Sequence, residues 1–195
     1  MKKLMRVFWV MFMVIGFGNV AVSQDSSLSK EEELLIEKTV KTVLASKVLK
    51  QEEREEIAEI VKKHPKRAVE AVQICEAAAD MYLKKGQESA FAEINNPQGM
   101  FRKGETYGYF LNLSGLILAH PNEGHRNKNV KLVKDVNGKL FVIEYLKVGE
   151  QDGSGFTRFF WSKLKESKAY PKINYILRLP DPHKDIVVCA GFLLE

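Results

Sequence analysis

Tyr107 to Pro121 reads YGYFLNLSGLILAHP, and its punctuation decides the fold of the second half of the chain. Apolar and polar positions alternate through YGYFLNL, Ser114-Gly115 supplies a tight turn, and LILA resumes the run. Two strand-length runs around such a turn make a β-hairpin. Successive side chains of a strand point to opposite faces, so Tyr107 and Tyr109 share one. His120-Pro121 ends the second strand, and a polar loop runs from His120 to Asn129.

Downstream, Asn137-Gly138 marks a turn before FVIEYLKV. That run suits helix or strand by pattern alone and is read as a short helix. Gly153 to Gly155 then interrupts, and FTRFFW, INYILRL and IVVCAGFLL follow, three strand-length runs separated by turns bearing Pro or Asp. Phe159 and Trp161 share a face of the first of them.

Upstream the period changes. Ser29 and Glu32 form a capping-box pattern, and Ile36, Val40, Val43, Leu44 and Val48 recur at helical spacing. Ile57, Ile60 and Val61 lead to His64-Pro65, where the proline disfavours helix at the residue before it and sets a boundary or kink. Ala68, Val72, Cys75, Ala79 and Tyr82 lie on the next helical face, which ends near Gly86; a shorter helix runs from Gln87 to Ile94, and Asn95-Asn96-Pro97 closes the helical half. Helices followed by five strands give an α+β domain.

The start of the chain has a different composition. A basic opening (MKKLMR), an apolar stretch from Val7 to Gly18 and small residues at Ala21-Val22-Ser23 read as a secretory signal peptide over residues 1–23. The stretch is shorter than the roughly 20 apolar residues a membrane span needs. No later segment is long and apolar enough to span either, so the expectation is a periplasmic or secreted protein. Residues 24–65 then form a helical N-terminal extension and 66–195 the domain. Of 195 residues, 45% are hydrophobic and 28% charged, which excludes a disordered chain. The formal charge of +5 falls to +2 without Lys2, Lys3 and Arg6, and basic residues interleaved with aromatics are too sparse for a nucleic-acid surface. Cys75 and Cys189 either pair or remain as buried thiols, and buried thiols are expected.

Tyr107, Tyr109, Trp161 and Tyr175 are candidate pocket walls, because ligand sites are mostly apolar with a few placed hydrogen-bonding groups. His120 is a candidate donor to an anion, with Arg126, Lys128 and Lys172 as candidate sources of charge. His120 and His125 make an H-x4-H pair, but without a nearby cysteine or a known zinc spacing no metal is expected. No nucleophile elbow, zinc-protease motif, phosphate loop or dinucleotide fingerprint occurs, so neither catalysis nor a cofactor is expected.

The ordered string KKGQESAFAEINNPQGMF, YGYFLNLSGLILAHP, NKNVKLVKDVNGKLFV, GSGFTRFFW, KINY and VVCAGFLL, within Ala68 to Leu194, resembles the single Cache domains. These are extracytoplasmic, PAS-like sensor modules of bacteria. The resemblance implies a long N-terminal helix packed beside a five-stranded antiparallel sheet, with a small-molecule pocket on the sheet face bounded by the loop after AHP. It also implies pocket aromatics at Tyr107, Tyr109, Phe159, Trp161 and Tyr175 and polar positions at His120, Lys128 and Lys172. Phe159 stands where a tyrosine is common, and Ser162 where a proline usually follows the tryptophan; the missing phenol removes one hydrogen-bond donor. The functional expectation is an exported protein binding a small organic ligand, a carboxylate first, for sensing and without chemistry of its own. No output domain is expected within the chain. The alternative is an interaction module with a vestigial pocket, partnering a membrane sensor or transporter through its N-terminal helices.

Overall fold

The computed structural model describes residues 27–162 and 168–195. The expected signal segment lies outside them. Three helices come first, α1 (Lys30–Leu44), α2 (Gln51–Lys63) and α3 (Pro65–Asn95). The capping box forms as expected: the Glu32 backbone N–H donates to Ser29 Oγ and the Ser29 N–H to the Glu32 carboxylate. Helix α1 stops at Leu44, short of the expected Val48, because Ser46 and Asp152 take over the backbone. Ser46 Oγ accepts from the N–H groups of Val48 and Leu49 and donates to Asp152 at 2.5 Å. Pro65 opens α3, where its missing N–H costs nothing. Gly86, with φ of 85°, interrupts α3 at the boundary expected between the longer helix and the shorter one that begins at Gln87.

The strands are β1 (Arg102–Lys103), β2 (Thr106–Asn112), β3 (Ile117–Ala119), β4 (Ser154–Ser162), β5 (Ala169–Arg178) and β6 (Ile186–Leu193), with α4 (Phe141–Asp152) before β4. They form an antiparallel sheet in the order β1-β2-β6-β5-β4, with β3 on β2 in the expected hairpin. The two-residue β1 is an addition to the five expected strands. FVIEYLKV is indeed helical, as the start of α4.

Strand alternation divides the interior in two. On one face Phe110, Phe156, Ile173, Tyr175, Val188 and Phe192 pack beneath Val43, Ile57, Val61, Val72 and Cys75 of α1 to α3. Helices α1 and α2, within the expected N-terminal extension, therefore contribute to the same core as the strands. On the other face Leu111, Ile176, Val187 and Cys189 pack beneath Val142, Tyr145 and Leu146 of α4. Fully burying one such side chain stabilises by about 1.5–3 kcal/mol. Both cysteines are free and buried, one in each cluster. Lys139 anchors the start of α4: its ammonium pairs with Glu53 of α2 and Glu144 of α4 and donates to the Arg158 carbonyl of β4. Among the described residues no helix is long and apolar enough to cross a membrane.

Candidate functional site

The α4 face of the sheet does not close completely. Between β2, β4, β5, α4 and the loop after β3 it leaves a cavity of about 280 Å³. Tyr107 and Tyr109 of β2, Phe159 and Trp161 of β4 and Lys172 of β5 reach it from the sheet, and His120 and Lys128 from the loop. The structure thus brings together seven of the eight residues expected there. A second hollow of about 540 Å³, bearing Arg102 and Ser162, adjoins the first and shares with it Tyr107, His120, His125, Trp161 and Lys172.

Tyr175 is the exception and corrects the expectation. It lies on the opposite face, its ring 5.0 Å from that of Phe156 beneath the helices, with its carbonyl accepting from the Cys75 thiol at 3.9 Å. Burial there pushes its phenol up to about 12. Arg126 is also not a free cation at the site. Its guanidinium donates to the carbonyls of His120 and Asn95, both at 2.8 Å, which satisfies the end of α3 and fixes the loop.

His120 is tightly held. Its N–H donates to the Asn95 side chain at 3.0 Å, and its Nδ1 accepts from the Asn122 N–H at 2.9 Å. With Nδ1 an acceptor, a neutral ring carries its proton on Nε2. The ring is edge-on to Tyr107, with centroids 5.1 Å apart, and 4.8 Å from that of His125. Burial, then the neighbouring His125 and Lys172, brings the His120 pKa down to about 3, and burial with Lys128 and Lys172 lowers that of His125. Both rings are therefore uncharged at neutral pH.

Lys172 supplies the dominant charge. It is only 7% exposed, and its ammonium stands 4.9 Å from the Tyr107 ring centre. No carboxylate pairs with it among the described residues. Lys128 is placed opposite by the strand-like return of the loop, where its carbonyl accepts from Ile117 N–H at 2.9 Å. A buried ammonium without a counter-ion is costly, and an incoming anion offsets that cost.

Several lining residues were not anticipated from the sequence. Phe141, Val142 and Tyr145 of α4 close the cavity from above, and His125, Val130 and Val133 from the loop. The Phe141 ring stacks on Phe159 at 4.1 Å and 8°. A phenol at position 159 would extend beyond this stack, which is apolar. The described residues hold no cluster of three or more His, Cys, Asp or Glu suited to a metal.

A family model described as single Cache domain 2 matches residues 33–195. Among solved structures, a methyl-accepting chemotaxis protein from Vibrio parahaemolyticus is similar with a TM-score of 0.55 at 19% identity, over 74% of this chain and 97% of that one. A periplasmic sensor domain of a chemotaxis protein gives 0.51 at 20% identity, over 77% and 100%. A Cache chemosensory domain whose structure was described for carboxylic acid recognition gives 0.50 at 19% identity, over 86% and 100%. At these identities the likeness is one of fold. Curated proteins give no match.

Proposed function

The chain belongs to the single Cache domain family, whose members are sensory ligand-binding modules, and we propose that it is an exported, periplasmic member that captures a small organic carboxylate. It carries out no chemistry of its own. The observation behind this reading is Lys172, a buried cation facing an aromatic cavity with no carboxylate paired to it among the described residues. A ligand carboxylate would complete that pair, with neutral His120 or His125 adding N–H donors and Phe141, Phe159 and Trp161 contacting the carbon skeleton. The test is calorimetric titration of small carboxylates into wild-type, Lys172→Met and Trp161→Ala proteins. Binding to the wild type that each substitution weakens at least tenfold supports the site; binding unaffected by both removes it.

A second reading, in which the N-terminal helices engage a membrane sensor or transporter, is favoured by Leu34. This α1 side chain is 67% exposed beside Lys38 and Lys41. Because α1 and α2 also carry core residues, the appropriate test is Leu34→Glu rather than deletion. Loss of partner co-purification with ligand binding intact would support this reading.

A further inference from the structure

Between β3 and α4 the chain makes two tight turns with apolar, exposed corners. The Val133 N–H donates to the Val130 carbonyl at 3.0 Å, which puts Lys131 and Leu132 at the first corner. The Gly138 N–H donates to the Asp135 carbonyl at 3.0 Å, which puts Val136 and Asn137 at the second. Leu132 is 75% exposed and Val136 66%. Turn corners ordinarily carry Gly, Pro, Asn, Asp or Ser, and two aliphatic side chains run against that preference. The first turn is anchored to the β2–β3 hairpin. The Val130 N–H donates to the Gly115 carbonyl at 2.8 Å, and Lys131 Cβ lies 2.6 Å from where a Cβ on Gly115 would stand.

The charge along this loop has one sign. Lys128, Lys131 and Lys134 are exposed, and none pairs with a carboxylate among the described residues. The one acid between Arg126 and Lys139 is Asp135. Its carboxylate is taken up by the fold, accepting from the N–H groups of Asn137 and Lys139, both at 2.9 Å, and of Phe160 at 3.1 Å. Where the Asn137 end meets α2, Glu53 is paired with Lys139 and Glu56 with Arg158, which leaves Glu52 as the unpaired acid there. Aliphatic tips among lysines are not the composition of a protein interface, which favours aromatic residues, Met and Arg and is poor in Lys. They suit a lipid surface, where apolar tips enter the headgroup boundary and lysine stems lie along it with their ammonium groups on anionic phosphates.

We propose that Leu132 and Val136, with Lys131 and Lys134, form a peripheral contact with an anionic phospholipid surface. Val130 and Val133 of the same loop line the cavity, so the contact holds that side of the cavity next to the membrane. The inference does not depend on which ligand the cavity takes.

The test is co-sedimentation with vesicles of the chain from Gln24, which holds every described element and leaves out the apolar run from Val7 to Gly18. Vesicles of equal parts phosphatidylglycerol and phosphatidylcholine are expected to bind wild type about tenfold or more tightly than phosphatidylcholine alone. The difference should shrink as salt rises from about 0.1 M to about 1 M. Lys131→Gln with Lys134→Gln should weaken binding to the anionic vesicles about tenfold or more. Leu132→Ser with Val136→Ser should weaken it also, with the charge unchanged. All four side chains are exposed, so both pairs should keep the wild-type Tm, and either serves if the other does not fold. No binding to anionic vesicles, equal binding to both vesicle types, or binding that neither pair weakens overturns the inference. Retention on poly-glutamate that the lysine pair loses, without vesicle binding, would assign the patch to an acidic protein and overturns it too.

Discussion

Acidification should destabilise the ligand-free protein through His120, and the size of the effect follows from its burial. The ring has an ordinary pKa of 6.5 when solvated and about 3 in the fold. Between those values the unfolded chain binds a proton that the native state refuses, so stability falls as pH drops below 6.5 and has lost most of this contribution near pH 3. At pH 5 the unfolded ring sits 1.5 pH units below its pKa; at 1.36 kcal/mol per unit, the loss relative to pH 7 is about 2 kcal/mol. For a domain of this size that is a fall in Tm of about 4–8 °C. The assay is urea unfolding at pH 7 and pH 5 for wild type and His120→Gln. The variant lacks the titrating group, so its loss over the same interval should be smaller by about 2 kcal/mol, the remainder belonging to His125 and the carboxylates. Identical losses in the two proteins would refute the assignment of a neutral, desolvated His120.

Three further predictions concern the scaffold. Phe156→Ala, at a fully buried ring packed on Tyr175, should cost about 3–5 kcal/mol and lower Tm by roughly 10 °C, read by calorimetry. Gly86→Ala should cost about 1–3 kcal/mol through backbone strain alone, because φ is 85° and nothing lies within 4 Å of the added Cβ; an unchanged urea midpoint would contradict this. Burial raises the Cys75 thiol well above its ordinary range and Cys189 to about 12, so iodoacetamide at pH 8 should label neither thiol in the native protein and both in urea, counted by mass spectrometry.

Most of the scaffold was legible because period and punctuation agreed. Ser29 with Glu32, His64-Pro65, Gly86 and Ser114-Gly115 each mark a boundary the fold uses. In the site, Tyr107 with Tyr109 and Phe159 with Trp161 were recoverable from strand alternation. Tyr175 was not, although the same rule excludes it: it stands three residues from Lys172 on one strand, so the two face opposite ways, and the residue sharing the face of Lys172 is Asn174. Phe141 and Tyr145 were beyond sequence reasoning for another reason. Their helix could be recognised, but no local pattern states which face of the sheet it covers. Arg126 looked like a spare cation because its carbonyl partners, at Asn95 and His120, meet only when the end of α3 folds against the loop.

The central claim is that this cavity takes a carboxylate, and a thermal-shift series on the purified protein tests it most directly. Lactate, pyruvate, propionate and acetate would be compared with the matched uncharged amides and with alkyl amines, since a ligand that binds only the folded state raises Tm with its concentration. The account predicts a concentration-dependent rise for at least one carboxylate, none for its amide or for the amines, and loss of the rise in Lys172→Met. Equal shifts with acid and amide, stabilisation by amines, or no shift with any of the acids would contradict it.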